Sequence, residues 1–188
     1  MLNLFARIVL VVFLVIGLLA LIGCFLPRDY DFQAQLKMKA APDTIFPMIN
    51  VPRNWSQWSM WSPDRVPGLK VEYRGNDKGV GAEQFWTEVR GKGKMWITAS
   101  QPSQRIDYEM LFADFPRMES SITLQPDGDS TTVVWQSSGR LPSGPFFGYF
   151  AWLFGRQMEY QYQSSLENLK QIVEQQPKPT AIPAMEAV

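Results

Sequence analysis

Residues 146–173, FFGYFAWLFGRQMEYQYQSSLENLKQIV, decide the fold of this chain. Apolar side chains recur there at steps of four residues with a single step of three, at Phe150, Phe154, Met158, Tyr162, Leu166, Leu169 and Val173. This spacing predicts one apolar stripe along a helix of about seven turns. A stripe of that length has to be covered by another extended apolar surface, which the rest of the chain must supply.

The residues before this helix alternate between apolar and polar side chains, which is the pattern of half-buried strands. Arg105–Phe112 is the clearest segment, because Ile106, Tyr108, Met110 and Phe112 share one face. Five similar segments are predicted, at Lys70–Arg74, Ala82–Val89, Lys94–Ser100, Met118–Gln125 and Thr131–Ser137. Short turns separate these six strands, so neighbours along the chain are expected to pair antiparallel.

One more strand and two short helices precede this series. Phe32–Lys39 alternates as the later strands do, and Pro42 then favours the start of a helix that Pro47 keeps short. A second short helix or turn carries Trp55 and Trp58. The order predicts the α+β class, with a twisted antiparallel sheet curled around the long final helix. A cavity is expected between the sheet and that helix.

At the other end of the chain, Ile8–Leu26 contains no charged residue. As a helix it would span roughly 28 Å, close to the ~30 Å hydrocarbon core of a bilayer. Arg7 precedes it and Pro27 follows it. A single transmembrane anchor is therefore predicted, in a bacterial inner membrane. Basic residues flank both ends, so the orientation is weakly determined. Their count slightly favours a cytoplasmic domain. The short charged head before a long apolar core resembles an uncleaved signal, however, and the periplasmic side is slightly favoured for the domain.

Two alternatives to a permanent span stay open. The segment Leu21-Ile22-Gly23-Cys24 is similar to a bacterial lipobox, in which the cysteine is lipid-modified and becomes the N-terminal residue. A cleaved secretory signal is the second alternative, although the apolar core is long for one. The predicted organisation is a short head (1–7), an anchor (8–26), a folded domain (27–174) and a flexible tail (175–188), which begins where prolines end the helical pattern.

Composition excludes several kinds of function. The chain of 188 residues has no His and one Cys, so neither a catalytic His system nor an internal disulfide can form. Its 18 basic and 18 acidic residues are scattered, whereas a nucleic-acid-binding protein shows a basic stripe. No metal-ligand spacing occurs, and the glycines at Gly79 and Gly81 do not form a dinucleotide-binding loop. We therefore expect no nucleic-acid partner, metal or cofactor.

Short motifs carry a resemblance to a known family. They are Ala41-Pro42-x-x-Ile45-Phe46, Trp55-x-x-Trp58-Ser59-x-Trp61-Ser62-Pro63, Gly79-Val80-Gly81-Ala82, Val133-x-Trp135 and Leu166-x-x-Leu169-Lys170. In this order they resemble the START-like superfamily, and within it the polyketide cyclase/dehydratase-like SRPBCC proteins, over residues 30–174. The resemblance implies a helix-grip fold with a deep apolar cavity that binds lipids, polyketides or other hydrophobic small molecules. It does not determine the activity, because this fold also hosts enzymes and co-chaperone domains.

The candidate ligand-binding residues are apolar and aromatic side chains on the inner faces of the predicted elements. They are Trp86, Met95, Ile97, Tyr108, Met110, Phe112, Trp135, Phe150, Phe154 and Met158, together with Trp55 and Trp58. Met adapts to varied ligands, and Tyr and Trp add a polar group to an apolar body. Each can equally fill the core, and the cluster of Trp55, Trp58 and Trp61 forms either a lid over the cavity or a plug that stabilises the short helices.

The expected function is therefore a membrane-anchored binder or carrier of a hydrophobic small molecule or lipid. An enzyme of the cyclase or hydrolase type is the first alternative, with Tyr108 as the best single acid and Glu88 as the carboxylate that can point inward. No pair of carboxylates is convincingly placed, so no catalytic residue is assigned. A protein-interaction module is the second alternative.

Overall fold

The computed structural model describes residues 4–89, 91–112 and 115–175. The helices are α1 (Leu4–Phe25), α2 (Pro42–Asn50), α3 (Trp55–Trp58), which a 3-10 turn at Pro52–Asn54 precedes, and α4 (Phe147–Gln175). The strands are β1 (Asp29–Met38), β2 (Lys70–Gly75), β3 (Ala82–Glu88), β4 (Gly91–Gln101), β5 (Arg105–Phe112), β6 (Met118–Asp127) and β7 (Ser130–Arg140). Apart from Gln175, the predicted tail lies outside the described residues, as do the first three residues of the predicted head.

All seven strands form one curved antiparallel sheet in the order β1-β7-β6-β5-β4-β3-β2. Consecutive strands pair from β2 to β7, as short turns require, and β1 returns to the far edge beside β7. Asp29 of β1 lies opposite Arg140 of β7, and Met38 lies opposite Thr131. The sheet and the long final helix confirm the predicted α+β helix-grip architecture.

Helix α4 packs its apolar stripe across the sheet. Leu166, Leu169 and Val173 are buried, so the second half of α4 forms part of the main core. The end of this helix is tied to the sheet, because the Glu174 carboxylate accepts a hydrogen bond from the Lys39 backbone N–H at 2.7 Å. The predicted helix of residues 146–173 agrees with the observed one within two residues.

The two short helices are tied together by tryptophan side chains. Helix α2 begins at Pro42. The carbonyl groups of its last turn have no hydrogen-bond partner within the helix. The indole N–H of Trp55 donates to the Ile49 carbonyl at 2.8 Å, and that of Trp58 donates to the Met48 carbonyl at 3.0 Å. Trp55 and Trp58 therefore stabilise the end of α2 as well as contributing apolar area.

Helix α1 is 22 residues long and exposes apolar side chains along most of its length. Its length and composition are those of a membrane span, and a signal sequence near an N-terminus has the same properties. The end of α1 packs against the beginning of α4 with backbones close together. A Cβ atom on Gly23 would collide with the carbonyl of Pro145, and one on Gly148 would collide with Leu26.

Candidate functional site

A cavity of about 450 Å³ lies between the concave face of the sheet, the α3 region and the first half of α4. Pockets that bind small molecules commonly have volumes of about 300–1,000 Å³. The wall of this cavity consists mainly of apolar and aromatic side chains from strands β3 to β7 and from α4. The size and lining fit a small hydrophobic molecule or part of a lipid chain.

A row of methionines forms the floor of the cavity. Met95 of β4 lies directly opposite Met110 of β5, which in turn lies opposite Met118 of β6. Gln84 of β3 lies opposite Met95 and continues the row across a fourth strand. Because methionine side chains are unbranched and polarizable, this floor can adapt to ligands of different shapes.

Aromatic rings form two groups on the wall. Trp135 stacks on Tyr162 with ring centroids 3.7 Å apart, and Trp55 meets Trp135 edge to face at 5.9 Å. The second group, Trp61, Trp86 and Phe112, is mutually edge to face at 5.0–6.4 Å. Such contacts hold the rings in fixed positions, so one part of the wall is rigid while the methionine floor is adaptable.

A buried network of hydroxyl groups lies behind the first aromatic group. The Trp135 indole N–H donates to the Tyr108 hydroxyl at 2.7 Å. Tyr162 and Ser137 share a hydrogen bond of 2.7 Å, and Ser137 and Ser120 share one of 2.6 Å. Each hydroxyl of the network thus has a protein partner, as a buried polar group requires.

Burial sets the protonation state of the two tyrosines in this network. Desolvation raises the pKa of Tyr108, while the hydrogen bonds to its hydroxyl group act in the opposite direction. Desolvation also raises the pKa of Tyr162, well above the ordinary tyrosine value. Both phenols are therefore neutral at physiological pH and are poor proton donors to a substrate. The network positions the Trp135 and Tyr162 rings on the cavity wall.

Nine of the twelve predicted binding residues line the cavity. They are Trp55, Trp86, Met95, Met110, Phe112, Trp135, Phe150, Phe154 and Met158. Trp58, Ile97 and Tyr108 do not, because each is packed in the core with at most 1% of its surface exposed. Trp58 is accordingly a structural plug rather than a lid, and Tyr108 is separated from the cavity by the residues it supports.

Several lining residues were missed. They are Tyr30, Ser59, Met60, Trp61, Gln84, Phe115, Pro116, Met118, Arg140, Leu141, Gln157, Gln161, Tyr162 and Ser165. Three of these carried a signal in the sequence, since Trp61 belongs to the tryptophan cluster, Tyr162 belongs to the α4 stripe and Met118 begins an alternating strand. Gln84 also shares a strand face with Trp86, but its polar side chain gave no reason to place it inside.

No carboxylate lines the cavity within the described part of the chain, and Glu88 lies outside the wall. The charged residue of the described lining is Arg140, whose largely exposed side chain is 3.5 Å from Asp29 at its nearest ion-pair atoms. Among described residues, no group of three or more His, Cys, Asp or Glu side chains could hold a metal ion. The arrangement is suited to holding an uncharged apolar molecule.

One exposed part of the cavity lining lies close to helix α1. Phe115 and Phe150 line the cavity and are 40% and 43% exposed, so both lie at its mouth. Tyr149, the residue before Phe150, donates its hydroxyl to the Leu19 carbonyl of α1 at 3.0 Å. The mouth of the cavity is therefore within about one helical turn of the contact between α4 and α1.

The curved sheet, the long final helix and the apolar cavity between them are the features of a helix-grip fold that can hold a hydrophobic ligand. The chain belongs to the polyketide cyclase / dehydrase and lipid transport family, whose family model matches residues 30–174. This confirms the resemblance seen in the tryptophan and glycine motifs. None of the curated proteins matches the chain.

Solved structures of several proteins share the fold. Protein CV1439 from Chromobacterium violaceum is 19% identical with a TM-score of 0.53, covering 78% of this chain and 98% of that one. Truncated norcoclaurine synthase from Thalictrum flavum is 18% identical with a TM-score of 0.58, covering 79% and 96%. The Aha1 dimer from Colwellia psychrerythraea is 16% identical with a TM-score of 0.56, covering 77% and 96%. At these identities the likeness concerns the fold alone.

Proposed function

We propose that this chain is a membrane-anchored protein that binds, and carries, a hydrophobic small molecule or lipid in the cavity under α4. The observation that carries the proposal is the position of the apolar cavity, whose mouth lies beside the helix that can span a bilayer. Burial of an acyl chain contributes about 0.8 kcal/mol per methylene, so such a site needs no charged group for affinity.

The proposed ligand-binding residues are the nine predicted side chains on the wall, with Tyr162 and Met118 added. Family membership supports a hydrophobic ligand, since the family's own description includes lipid transport. An enzymatic role has less support, because the described wall holds no carboxylate and its buried tyrosine keeps its proton. Catalysis needs groups whose pKa lies near the working pH.

We also propose that α1 remains as a single-pass anchor in a bacterial inner membrane, with the domain of residues 27–174 on the periplasmic side. The close packing of Gly23 against Pro145 supports retention of α1, because cleavage at Cys24 would remove that contact. The mass of the N-terminal peptide tests this proposal. A mature chain that begins at a lipid-modified Cys24 would contradict it.

Replacement of Met110 by tryptophan tests ligand binding in the cavity. The indole would occupy the middle of the methionine floor, so we expect the affinity for naphthalene to fall at least about tenfold, which corresponds to 1.4 kcal/mol. Calorimetric titration of the full chain held in an amphipol measures this affinity.

Leu111→Trp is the matched control, because Leu111 is the next residue of β5 and lines a groove outside the cavity. It should bind naphthalene as the unmodified protein does. Equal affinity in the unmodified protein and both variants would place the binding elsewhere and overturn the proposal.

A further inference from the structure

Gln84 and Trp61 line the cavity, and each has one buried polar atom without a hydrogen-bond partner within the described part of the chain, Gln84 Oε1 and Trp61 Nε1. Gln84 is 6% exposed, and its cross-strand neighbour on the floor is Met95. Ser165, another polar residue of the wall, already has two hydrogen-bond partners. Ser165 Oγ accepts from the Met60 backbone N–H at 2.9 Å and donates to the Gln161 carbonyl at 2.7 Å.

An acceptor and a donor left without partners in an apolar wall carry a free-energy cost that a suitable ligand removes. The amide oxygen of Gln84 accepts a hydrogen bond, and the indole N–H of Trp61 can only donate one. Trp61 packs edge to face on Trp86, and Trp86 is two residues after Gln84 on the same face of β3. Both residues therefore lie next to Trp86 on the same part of the wall.

The charge of the wall limits the chemistry of the ligand further. Arg140 is the charged side chain of the described lining, and it lies at the opening, where Asp29 is its ion-pair partner. An ionised group beside Gln84 would be buried without an opposite charge, which is strongly unfavourable. A neutral hydroxyl group can donate a hydrogen bond to the amide oxygen of Gln84, and it can equally accept one from the indole N–H of Trp61.

We propose that Gln84 and Trp61 form a polar subsite that selects hydrophobic ligands bearing a neutral hydroxyl group, in preference to pure hydrocarbons and to carboxylates. The apolar part of the ligand lies over the methionine floor. Its hydroxyl group bonds to Gln84 Oε1 or Trp61 Nε1 once that side chain rotates to bring the buried atom to the cavity surface. This inference rests on the proposed function, because it concerns selectivity within the same cavity.

The test compares 2-naphthol, naphthalene and 2-naphthoate, which share a ring system and differ in the polar group. Each is titrated calorimetrically into the full chain in an amphipol. The unmodified protein should bind 2-naphthol about tenfold more tightly than naphthalene, the effect typical of one net hydrogen bond. It should bind 2-naphthoate more weakly than 2-naphthol.

Gln84→Leu and Trp61→Phe each remove one polar group and keep an apolar side chain in place. In at least one of these variants the preference for 2-naphthol over naphthalene should shrink to about twofold or less, with naphthalene affinity unchanged. Gln33→Leu, on the exposed face of β1, should keep the full preference.

The results separate this inference from the proposed function. If naphthalene binds but the preference for 2-naphthol is absent, or survives in both variants, the polar subsite is overturned and the cavity remains a binding site. If naphthalene itself does not bind the unmodified protein, the proposed function fails and the subsite fails with it. Loss of the preference in Gln33→Leu would likewise overturn the assignment.

Discussion

Replacement of Trp135 by alanine should lower the free energy of unfolding by about 3–5 kcal/mol, the usual cost of removing a large buried aromatic side chain. Trp135 is 3% exposed. Its ring stacks on Tyr162 at 3.7 Å and meets Trp58 at 5.3 Å between centroids. The substitution also removes the indole N–H that donates to the Tyr108 hydroxyl at 2.7 Å.

Denaturant unfolding of the full chain in detergent, followed by circular dichroism, measures this change. Trp152→Ala is the matched control, because Trp152 is 66% exposed on α4 and its replacement should change the stability by about 0.5 kcal/mol or less. A loss below about 1 kcal/mol for Trp135→Ala would mean that the aromatic group and its hydroxyl network do not stabilise the domain as described.

A fluorophore on residue 153 should be strongly quenched by brominated lipids when the full chain is in vesicles. Leu153 is 58% exposed near the start of α4, and Trp152 beside it carries a cation–π contact with Arg156 at 5.3 Å. Exposed Trp, Leu and Arg on one helix are typical of a segment that lies in a membrane interface.

The contact between α1 and α4 indicates how deep the start of α4 lies relative to the membrane surface. The Leu19 carbonyl accepts a hydrogen bond from the Tyr149 hydroxyl. Leu19 lies six residues before the end of α1 at Phe25, which is roughly 9 Å along the helix. If α1 spans the bilayer, the Tyr149 hydroxyl is therefore at or below the membrane surface, and the first turns of α4 must lie in the interface. If α1 spans the bilayer, the mouth of the cavity therefore also faces lipid.

The labelling experiment uses Cys24→Ser as background and adds one cysteine at a time. Leu153→Cys should report strong quenching, and Leu14→Cys in the middle of α1 should report it as well. Glu167→Cys, about 21 Å further along α4, should show none. Quenching at position 14 without quenching at 153 would contradict the interfacial position of α4 and leave the anchor intact.

Local patterns in the sequence were sufficient to predict the fold. Alternation in Arg105–Phe112 reflects burial of one sheet face, and the four-residue spacing from Phe150 to Val173 reflects burial of one helix face. Both are properties of single elements, so they can be recognised without knowing which elements touch. Antiparallel pairing of β2 to β7 then followed from the short turns.

The division between core and cavity could not be predicted in this way. Met110 and Tyr108 lie two residues apart on the same face of β5, yet Met110 lines the cavity and Tyr108 is sealed in the core. The difference depends on which residues of other elements lie over each strand position. Here Tyr162 of α4 and Trp135 of β7 cover Tyr108. This is a property of tertiary packing.

Polar residues on the wall were missed for a related reason. Gln84 is found inside because the register between β3 and β4 aligns it with Met95. A glutamine in an alternating strand is normally assigned to the solvent face, and its neighbour Trp86 alone did not outweigh that expectation. Exceptions to the hydrophobic pattern of this kind often mark functional positions.

Native mass spectrometry of the full chain, released gently from membranes, tests most directly whether the cavity holds a bound ligand. The cavity of about 450 Å³ predicts a population whose mass exceeds that of the chain by one hydrophobic small molecule or lipid. This extra mass should be depleted in Met110→Trp and retained in Leu111→Trp. If every spectrum shows only the mass of the empty chain, even after incubation with membrane lipids and naphthalene, the proposal that the cavity binds a hydrophobic molecule is contradicted.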